Sequence, residues 1–334
     1  MTEYQFDLIT IGRVSMDLFS QDIGADFAHI TGFDTAVGGS PTNIAIAASR
    51  LGLRTSALTA VGDDQVGDFV LRYLSDEGVA TTYVARKAGK LTPLAILGVQ
   101  PPSRFPLSFY REDPPDIYLT TDNVDAVPLS ATRAVQFSGN AFSRGTCAVA
   151  ARYLAEKANA AGLTCFMDLD LRPTEWALPK AFGVAIRNVI SMMDVAIGTE
   201  EEFYAALMPE PDDVMNGAPV PEHEHNELDE RVDDLLHRGL SALIIKRGPR
   251  GASVFVDGDR IDVPGFPVDV LNTVGAGDAF AGGLIYSRVR GFDWYHGVRF
   301  ANACGAITVT RHGCASAFPT EAEVEGFVND HGGW

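Results

Sequence analysis

The sequence predicts an α/β protein in three layers, with helices on both faces of a central, mostly parallel sheet and a small β-sheet lid over one end of it. Three observations lead there. Short apolar runs alternate with helix-compatible segments along most of the 334 residues, the pattern of a parallel sheet wrapped on both faces. Two stretches, about 13–37 and 92–118, break the alternation with Phe, Tyr, Thr and Pro-rich extended sequence. A hydrophobic content of 46% with no low-complexity tract suits one large buried core. Residues 1–334 are therefore expected to form a single domain with a small excursion.

Taken in order, "FDLITIG" (residues 6–12) reads as a buried strand closed by glycine. "SPTNIAIAASRLG" carries a helix signature, with Ser40 as cap, Pro41 in the first turn and Gly52 as terminator. "TSALTAVG" is the next strand. In "DDQVGDFVLRYLSDEG", Val66, Phe69, Val70, Tyr73 and Leu74 fall at helical spacing before Gly78. "AVQFSG", "LTCFMDLD", "DVAIG" and "ALIIKRG" repeat the strand pattern. The 13–37 and 92–118 segments leave the sheet near the ends of its first strands, so they are expected to pair as the lid, whose exposed edge could join a second copy in a homodimer. Residues 209–226, rich in Pro, Asp and Glu, predict a surface loop. His223 and His225 within it suit a solvated loop better than a metal site. Near the C-terminus, Thr320 and Glu323 form a capping box.

"NTVGAGDAF" (272–280) lies between an expected strand, Val268 to Leu271, and a helical run from Ala279 to Arg290. If the helix begins inside this stretch, the unpaired N–H groups of its first turn and the helix dipole make an anion site, and Gly275, Ala276 and Gly277 let an anion approach the backbone. Asp278 then stands where it can take a proton from an incoming hydroxyl. A phosphate-binding turn with an adjoining base is a compact phosphotransferase centre. The competing reading is that Gly-Ala-Gly only permits tight packing and that Asp278 caps.

Composition excludes several classes. A formal charge of −18 opposes binding to nucleic acid or acidic lipid. The N-terminus has no basic leader and no apolar run approaches a membrane span, so a cytoplasmic protein is expected. Cys147, Cys165, Cys304 and Cys314 are widely spaced and read as small core residues. The first strand ends in "GRVSMD" rather than G-x-G-x-x-G, which removes the main feature of a dinucleotide-dependent oxidoreductase.

Three motifs carry a resemblance. "GxxxxD" (Gly12, Asp17), "GGSPTNIA" (Gly38, Gly39, Asn43) and "NTVGAGDAFAGG" together resemble the paired signatures of the ribokinase-like, or PfkB-type, carbohydrate kinases. The likeness spans essentially the whole chain. It implies a ribokinase-like fold with Asp278 as catalytic base and Gly275, Ala276 and Gly277 as the anion hole. Asp17, Gly39 and Asn43 match positions that hold sugar hydroxyls. "KRGPRG" (Lys246, Gly248, Gly251) matches the segment along ATP, and Asn302 a residue near the adenine. "GTEEEF" occupies the place of an Asn-x-x-Glu motif. There Glu202 is kept to organise Mg2+ through water, while Thr199 replaces the Asn. The family usually has Asp where this chain has Asn272, and that Asp helps bind a monovalent cation; its loss argues against K+ dependence.

Two arginines set the expected substrate class. Arg111 from the lid and Arg172 beyond a strand end would suit a carboxylate or polarised ketone. The alternatives are a lid-to-body salt bridge for Arg111 and a phosphate contact for Arg172. With Asn at 272, "FYRED" and "DLDLRPTEW" resemble the 5-dehydro-2-deoxygluconate kinases of inositol catabolism. The 2-dehydro-3-deoxygluconate kinases share the two-arginine idea, and fructokinase, ribokinase and nucleoside kinase activities remain alternatives on the same fold. The resemblance thus implies ATP, Mg2+ and a small sugar acid as the molecules bound.

Overall fold

The computed structural model describes residues 4–101, 104–221, 225–237 and 239–334. Among the described residues fourteen strands follow in order: β1 (Phe6–Ile11), β2 (Ser15–Ser20), β3 (Phe33–Gly38), β4 (Thr55–Gly62), β5 (Val79–Ala80), β6 (Val84–Lys87) and β7 (Leu94–Leu97) come first. Then come β8 (Leu107–Tyr110), β9 (Thr132–Ser138), β10 (Thr164–Asp168), β11 (Val195–Thr199), β12 (Ala242–Lys246), β13 (Ala252–Val256) and β14 (Asp259–Val263). The helices begin with α1 (Ser40–Arg50), α2 (Gln65–Asp76), α3 (Thr121–Asp125), α4 (Gly145–Ala160), α5 (Pro179–Arg187) and α6 (Glu200–Leu207). They end with α7 (Asp212–Met215), α8 (His225–His237), α9 (Ala276–Val289), α10 (Trp294–Val309) and α11 (Glu321–Asp330).

The large sheet runs β14-β13-β12-β11-β10-β9-β1-β4-β5, with β6 also on β4. From β12 to β5 every pairing is parallel; β13 and β14 are antiparallel. Its strands are buried on both faces because alternate side chains feed two cores. Leu8, Ala134, Phe166 and Ile244 pack under one helical layer, while Ile9, Val135, Met167 and Ile245 pack under the other. Segments 13–37 and 92–118 supply a separate four-stranded sheet, β3-β2-β7-β8. The capping box near the C-terminus operates, Thr320 and Glu323 capping α11 reciprocally, and ahead of α2 a cap not singled out in the sequence, Asp64, accepts from Gly67 N–H.

Four expectations need correction. Val268–Leu271 is not a strand: β14 already ends that edge of the sheet, and the chain instead runs beside α10, with the N–H groups of Leu271 and Asn272 both on the Val309 carbonyl. The helix after it starts at Ala276, three residues earlier than its apolar run implies, because Gly275 takes a left-handed conformation (φ 87°) as its cap. The cap of α1 is Gly39 (φ 102°) rather than Ser40, whose hydroxyl is thereby released for another partner. Residues 209–226 are not wholly a surface loop, since α7 buries Val214 and Met215, and Val220 is buried too. His223 lies outside the described residues, and His225 opens α8. Among the described residues no helix is long and apolar enough to cross a membrane.

Candidate active site

A parallel sheet delivers the carboxyl ends of its strands to one edge, and the residues just beyond them face a common crevice. Here β1 ends before Arg13, β10 before Asp170 and Arg172, β11 at Thr199 and β12 at Lys246. The mouth of α9 and the small sheet close the same space. The result is a cavity of about 1,380 Å3.

Asp278 sits in the first turn of α9. Its Oδ2 accepts from Asn43 Nδ2 at 2.8 Å, a bond that joins α1 to α9 across 235 residues of sequence. Burial raises its carboxyl above the ordinary range, Asp170 pushes the same way, and Asn43 and Arg172 oppose the shift. Asn43 Nδ2 also lies 3.3 Å from Cys314 Sγ, while Asn43 Oδ1 is buried without a partner. All four cysteines are free and buried, and Cys314 additionally lines the cavity.

At the helix mouth, Ala276 N–H bonds Thr273 O (3.3 Å) and Ala279 N–H bonds Gly275 O (2.9 Å). The N–H groups of Gly275, Gly277 and Asp278 have no acceptor among the described residues, as the start of a helix leaves them. A Cβ on Gly275 would fall 2.4 Å from Cys314 Sγ, so only glycine fits that bend. A Cβ on Gly277 would lie 3.3 Å from Lys246 Nζ. The turn without a lysine of its own thus faces one supplied by the end of β12. Burial works against the Lys246 charge, but Asp168 (3.0 Å) and Glu202 (4.0 Å) outweigh it and hold the ammonium charged above the usual lysine range. Burial in turn pushes the Asp168 carboxyl up, against the pull of Lys246.

Asp17, on β2, is buried and accepts from Ser15 Oγ at 2.7 Å. Burial pushes its carboxyl up to about 6. A Cβ on Gly38 would overlap that carboxylate at 2.0 Å, and one on Gly39 would strike Arg13 O at 2.5 Å. The Gly-Gly pair therefore makes room for Asp17 and lets α1 start against the end of β1. Ser40 Oγ, freed from capping, donates to Asp168 Oδ2 at 3.1 Å.

Glu202 and Thr199 form the capping box of α6: Thr199 Oγ1 accepts from Glu202 N–H, and Glu202 Oε2 accepts from Thr199 N–H at 2.8 Å. Glu202 Oε1 accepts from Leu171 N–H at 3.0 Å. Each carboxylate oxygen keeps a further lone pair for water. Among the described residues no three His, Cys, Asp or Glu side chains group as a complete metal site. That donor set fits Mg2+ held mainly through substrate oxygens and water, the ordinary habit of this ion in phosphate sites.

The cavity thus brings together Asp17, Gly39, Asn43, Arg111, Arg172, Thr199, Glu202, Lys246, Gly275, Gly277 and Asp278. Arg111 reaches its wall with each guanidinium nitrogen already bonded to a carboxylate. Nη1 and Nη2 form a fork on Asp116 at 2.6 Å each, and Nε donates to Glu175 at 2.7 Å, all of it buried. The alternative reading of Arg111 as a lid-to-body ion pair describes this geometry. Arg172 is half exposed and 3.3 Å from Asp170. Gly248, Gly251, Ala276 and Asn302 are not among the lining residues. Asn302 Nδ2 donates to Val263 O (3.2 Å) and Pro264 O (3.1 Å), and Gly251 packs against that same stretch, where a Cβ would meet Val263 O at 2.1 Å. Sequence reasoning missed Arg13, Ser40, Asp168 and Asp170; their position at or just after strand ends and helix starts was the signal available.

Residues 5–321 match the pfkB family of carbohydrate kinases. A curated protein of Shouchella clausii named 5-dehydro-2-deoxygluconokinase is 30% identical over 98% of this chain and 96% of its own length. One of Geobacillus thermodenitrificans with the same name is 30% identical over 96% and 93%. Among solved structures, a candidate ribokinase II of E. coli in complex with ATP and Mg2+ superposes with a TM-score of 0.84 at 23% identity, covering 98% of this chain and all of that one.

Proposed function

Because the chain belongs to the pfkB family of carbohydrate kinases, we propose that it transfers the γ-phosphoryl group of ATP to the terminal hydroxyl of a keto sugar acid, with 5-dehydro-2-deoxy-D-gluconate the favoured substrate. One observation carries the reading: a half-buried carboxylate, Asp278, stands in the same helical turn as N–H groups that lack acceptors, with the Lys246 ammonium facing that turn. The substrate assignment draws on the names of the curated relatives and on the arginine charge at one end of the cavity.

In this reading Asp278 takes the hydroxyl proton as the new O–P bond forms and the bond to ADP breaks. Its raised pKa brings it closer to that task than an ordinary surface carboxylate. Asn43 holds Asp278 in place and offers its free Oδ1 to a sugar hydroxyl, a role shared with Asp17 and the backbone at Gly39. The amides of Gly275, Ala276 and Gly277, with Lys246, face the charge that builds on the transferring group. Lys246, Gly248, Gly251 and Asn302 are assigned to the nucleotide, with Glu202 and Thr199 toward Mg2+ through water. Mg2+ would neutralise phosphate charge, a need sharpened by the chain's own −18. The small sheet acts as a lid that keeps water from the phosphoryl group.

An ADP-release screen over 5-dehydro-2-deoxygluconate, 2-dehydro-3-deoxygluconate, fructose, ribose and adenosine tests this. The first compound is expected to be turned over with the highest kcat/KM. Equal rates on the neutral sugars would remove the sugar-acid assignment.

A further inference from the structure

Arg13 occupies the second position beyond β1, beneath the small sheet and against the cavity. Its side chain is only 7% exposed. Nη2 bonds Asp170 at 3.1 Å, the guanidinium carbon lies 5.9 Å from the centre of the Phe109 ring in β8, and Nε is buried with no acceptor. A buried guanidinium ordinarily has its donors satisfied, so an orphaned one lining a cavity points to an acceptor that arrives with a ligand.

The charge count around it points the same way. Asp170 is shared, taking Arg13 on one side and Arg172 at 3.3 Å on the other. Two cations on one carboxylate leave one positive charge facing the cavity. Asp170 itself is held by Ser138 Oγ at 3.0 Å and by a left-handed backbone (φ 39°), so the pair sits on a fixed support. The other cations of the cavity wall have partners of their own: Arg111 with Asp116 and Glu175, Lys246 with Asp168 and Glu202, Lys90 with Asp113, and Arg144, whose Nε is also unpartnered, with Glu175 and the Arg111 and Glu112 carbonyls, so that Arg13 is distinguished by sharing its carboxylate with Arg172.

We propose that Arg13, acting with Arg172 across Asp170, is the specificity-determining residue that receives the carboxylate of the sugar acid. Nε supplies a charge-assisted hydrogen bond to a carboxylate oxygen and Arg172 supplies the second, whereas a neutral sugar in the same pose offers only uncharged acceptors and loses the ion-pair strength of both. This inference rests on the sugar-acid reading of the site.

The test compares Arg13→Met and Arg13→Lys with the wild type, using the keto sugar acid and its primary amide as substrates and thermal melting to check folding. Arg13→Met is expected to raise KM for the acid roughly 10- to 100-fold, with KM for ATP unchanged and the amide's kcat/KM nearly so. Arg13→Lys keeps a charge on Asp170 but lacks the Nε donor; a smaller rise confined to the acid is expected, and it carries the test if the Met variant fails to fold. Parallel losses on acid and amide, or an unchanged KM for the acid, overturn the role of Arg13 while leaving the substrate reading intact. A wild type that does not prefer the acid to its amide overturns both.

Discussion

Two groups of buried charge lie on the walls of one cavity and are built oppositely. Around Arg111 each of the three guanidinium nitrogens has a carboxylate partner, and the cluster ties the end of β8 to the turns that hold Asp116 and Glu175. Around Asp278 and Arg13 the books stay open: Asn43 Oδ1 and Arg13 Nε have no partner, and helix-mouth amides point into space. Burying unpaired polar groups costs on the order of 1–3 kcal/mol each. The Arg111 guanidinium is saturated by its neighbours, although Glu175 Oε2 beside it has no hydrogen-bond partner, whereas Arg13 Nε and Asn43 Oδ1 belong to residues that line the cavity where a ligand could supply theirs. The closed cluster should govern stability and the open one turnover, and mutations can break that division.

The largest separation should come from Asp278→Asn, an isosteric change on the open side. Turnover is expected to fall about 10^2- to 10^4-fold, the usual range for removing a general base. Thermal protection by ATP should persist, and melting without ligand should not drop, because burial already favours the neutral carboxyl. Unchanged turnover in a coupled ADP assay would discard Asp278 as the base. The mirror experiment is Arg111→Met, which strands Asp116 and Glu175 as buried carboxylates. It should cost about 3–5 kcal/mol in urea unfolding, with a smaller change in the KM of either substrate for the fraction that stays folded. A large KM effect without loss of stability would move Arg111 from the closed cluster to the open one.

The two clusters were not equally legible in the sequence. Alternation and caps locate most of the sheet, and the G-x-x-x-x-D, Gly-Gly and Gly-Ala-Gly motifs single out Asp17, Asn43 and Asp278 as candidates, all three of which line the same cavity, because glycine at a positive φ or a close approach leaves a local mark. Ion-pair partners leave none. Arg111 and Glu175 are 64 residues apart and meet only through the tertiary fold, so the sequence alone leaves open whether Arg111 is a free cation or one arm of a lid-to-body ion pair, and names no partner. Arg13 was passed over for the converse reason: it directly follows Gly12, and nothing local distinguishes it from a surface arginine until β9 and β10 bring Asp170 beside it. The expected strand at Val268–Leu271 failed in the same manner, since periodicity reports a buried face but not whether a sheet edge is available.

A smaller, pH-dependent effect sharpens the comparison. Burial pushes the Asp17 carboxyl up to about 6 from an ordinary value of 3.8. A raised folded-state value means that the folded protein holds this proton more tightly than the unfolded chain. Its contribution to stability is therefore full below about pH 4 and is lost as pH rises through 6. Asp17→Asn, which can still accept from Ser15, should stabilise the protein at pH 8 by about 1–3 kcal/mol and change little at pH 4. Urea unfolding at the two pH values checks this; equal effects at both would mean that the Asp17 carboxylate carries no burial penalty. Catalysis should show the opposite slope, with kcat/KM for the sugar rising as pH increases through the values of Asp17 and Asp278.

The smallest expected effect concerns Asn272, the position at which the resemblance to PfkB-type kinases implies a carboxylate that helps bind a monovalent cation. The amide bridges two segments by itself: Nδ2 donates to Gly313 O at 2.7 Å, and Oδ1 accepts from Val274 N–H at 3.0 Å, at a fully buried position. An amide can satisfy a carbonyl and an N–H at once, whereas a carboxylate can only accept and would meet the Gly313 carbonyl with repulsion. With a neutral amide at this position there is no carboxylate charge for a cation to offset, and replacing Na+ by K+ is expected to leave the wild-type rate within about twofold, an energy below that of one ordinary hydrogen bond. Asn272→Asp should restore the need. Stability should drop by about 1–3 kcal/mol in the absence of K+ and recover in part when K+ is added, because the ion would sit between the new carboxylate and the Gly313 carbonyl. K+ activation of the wild type, or a variant indifferent to the ion, would show that the amide at this position does not remove the need for a cation and that the loop before Gly275 draws its order from elsewhere.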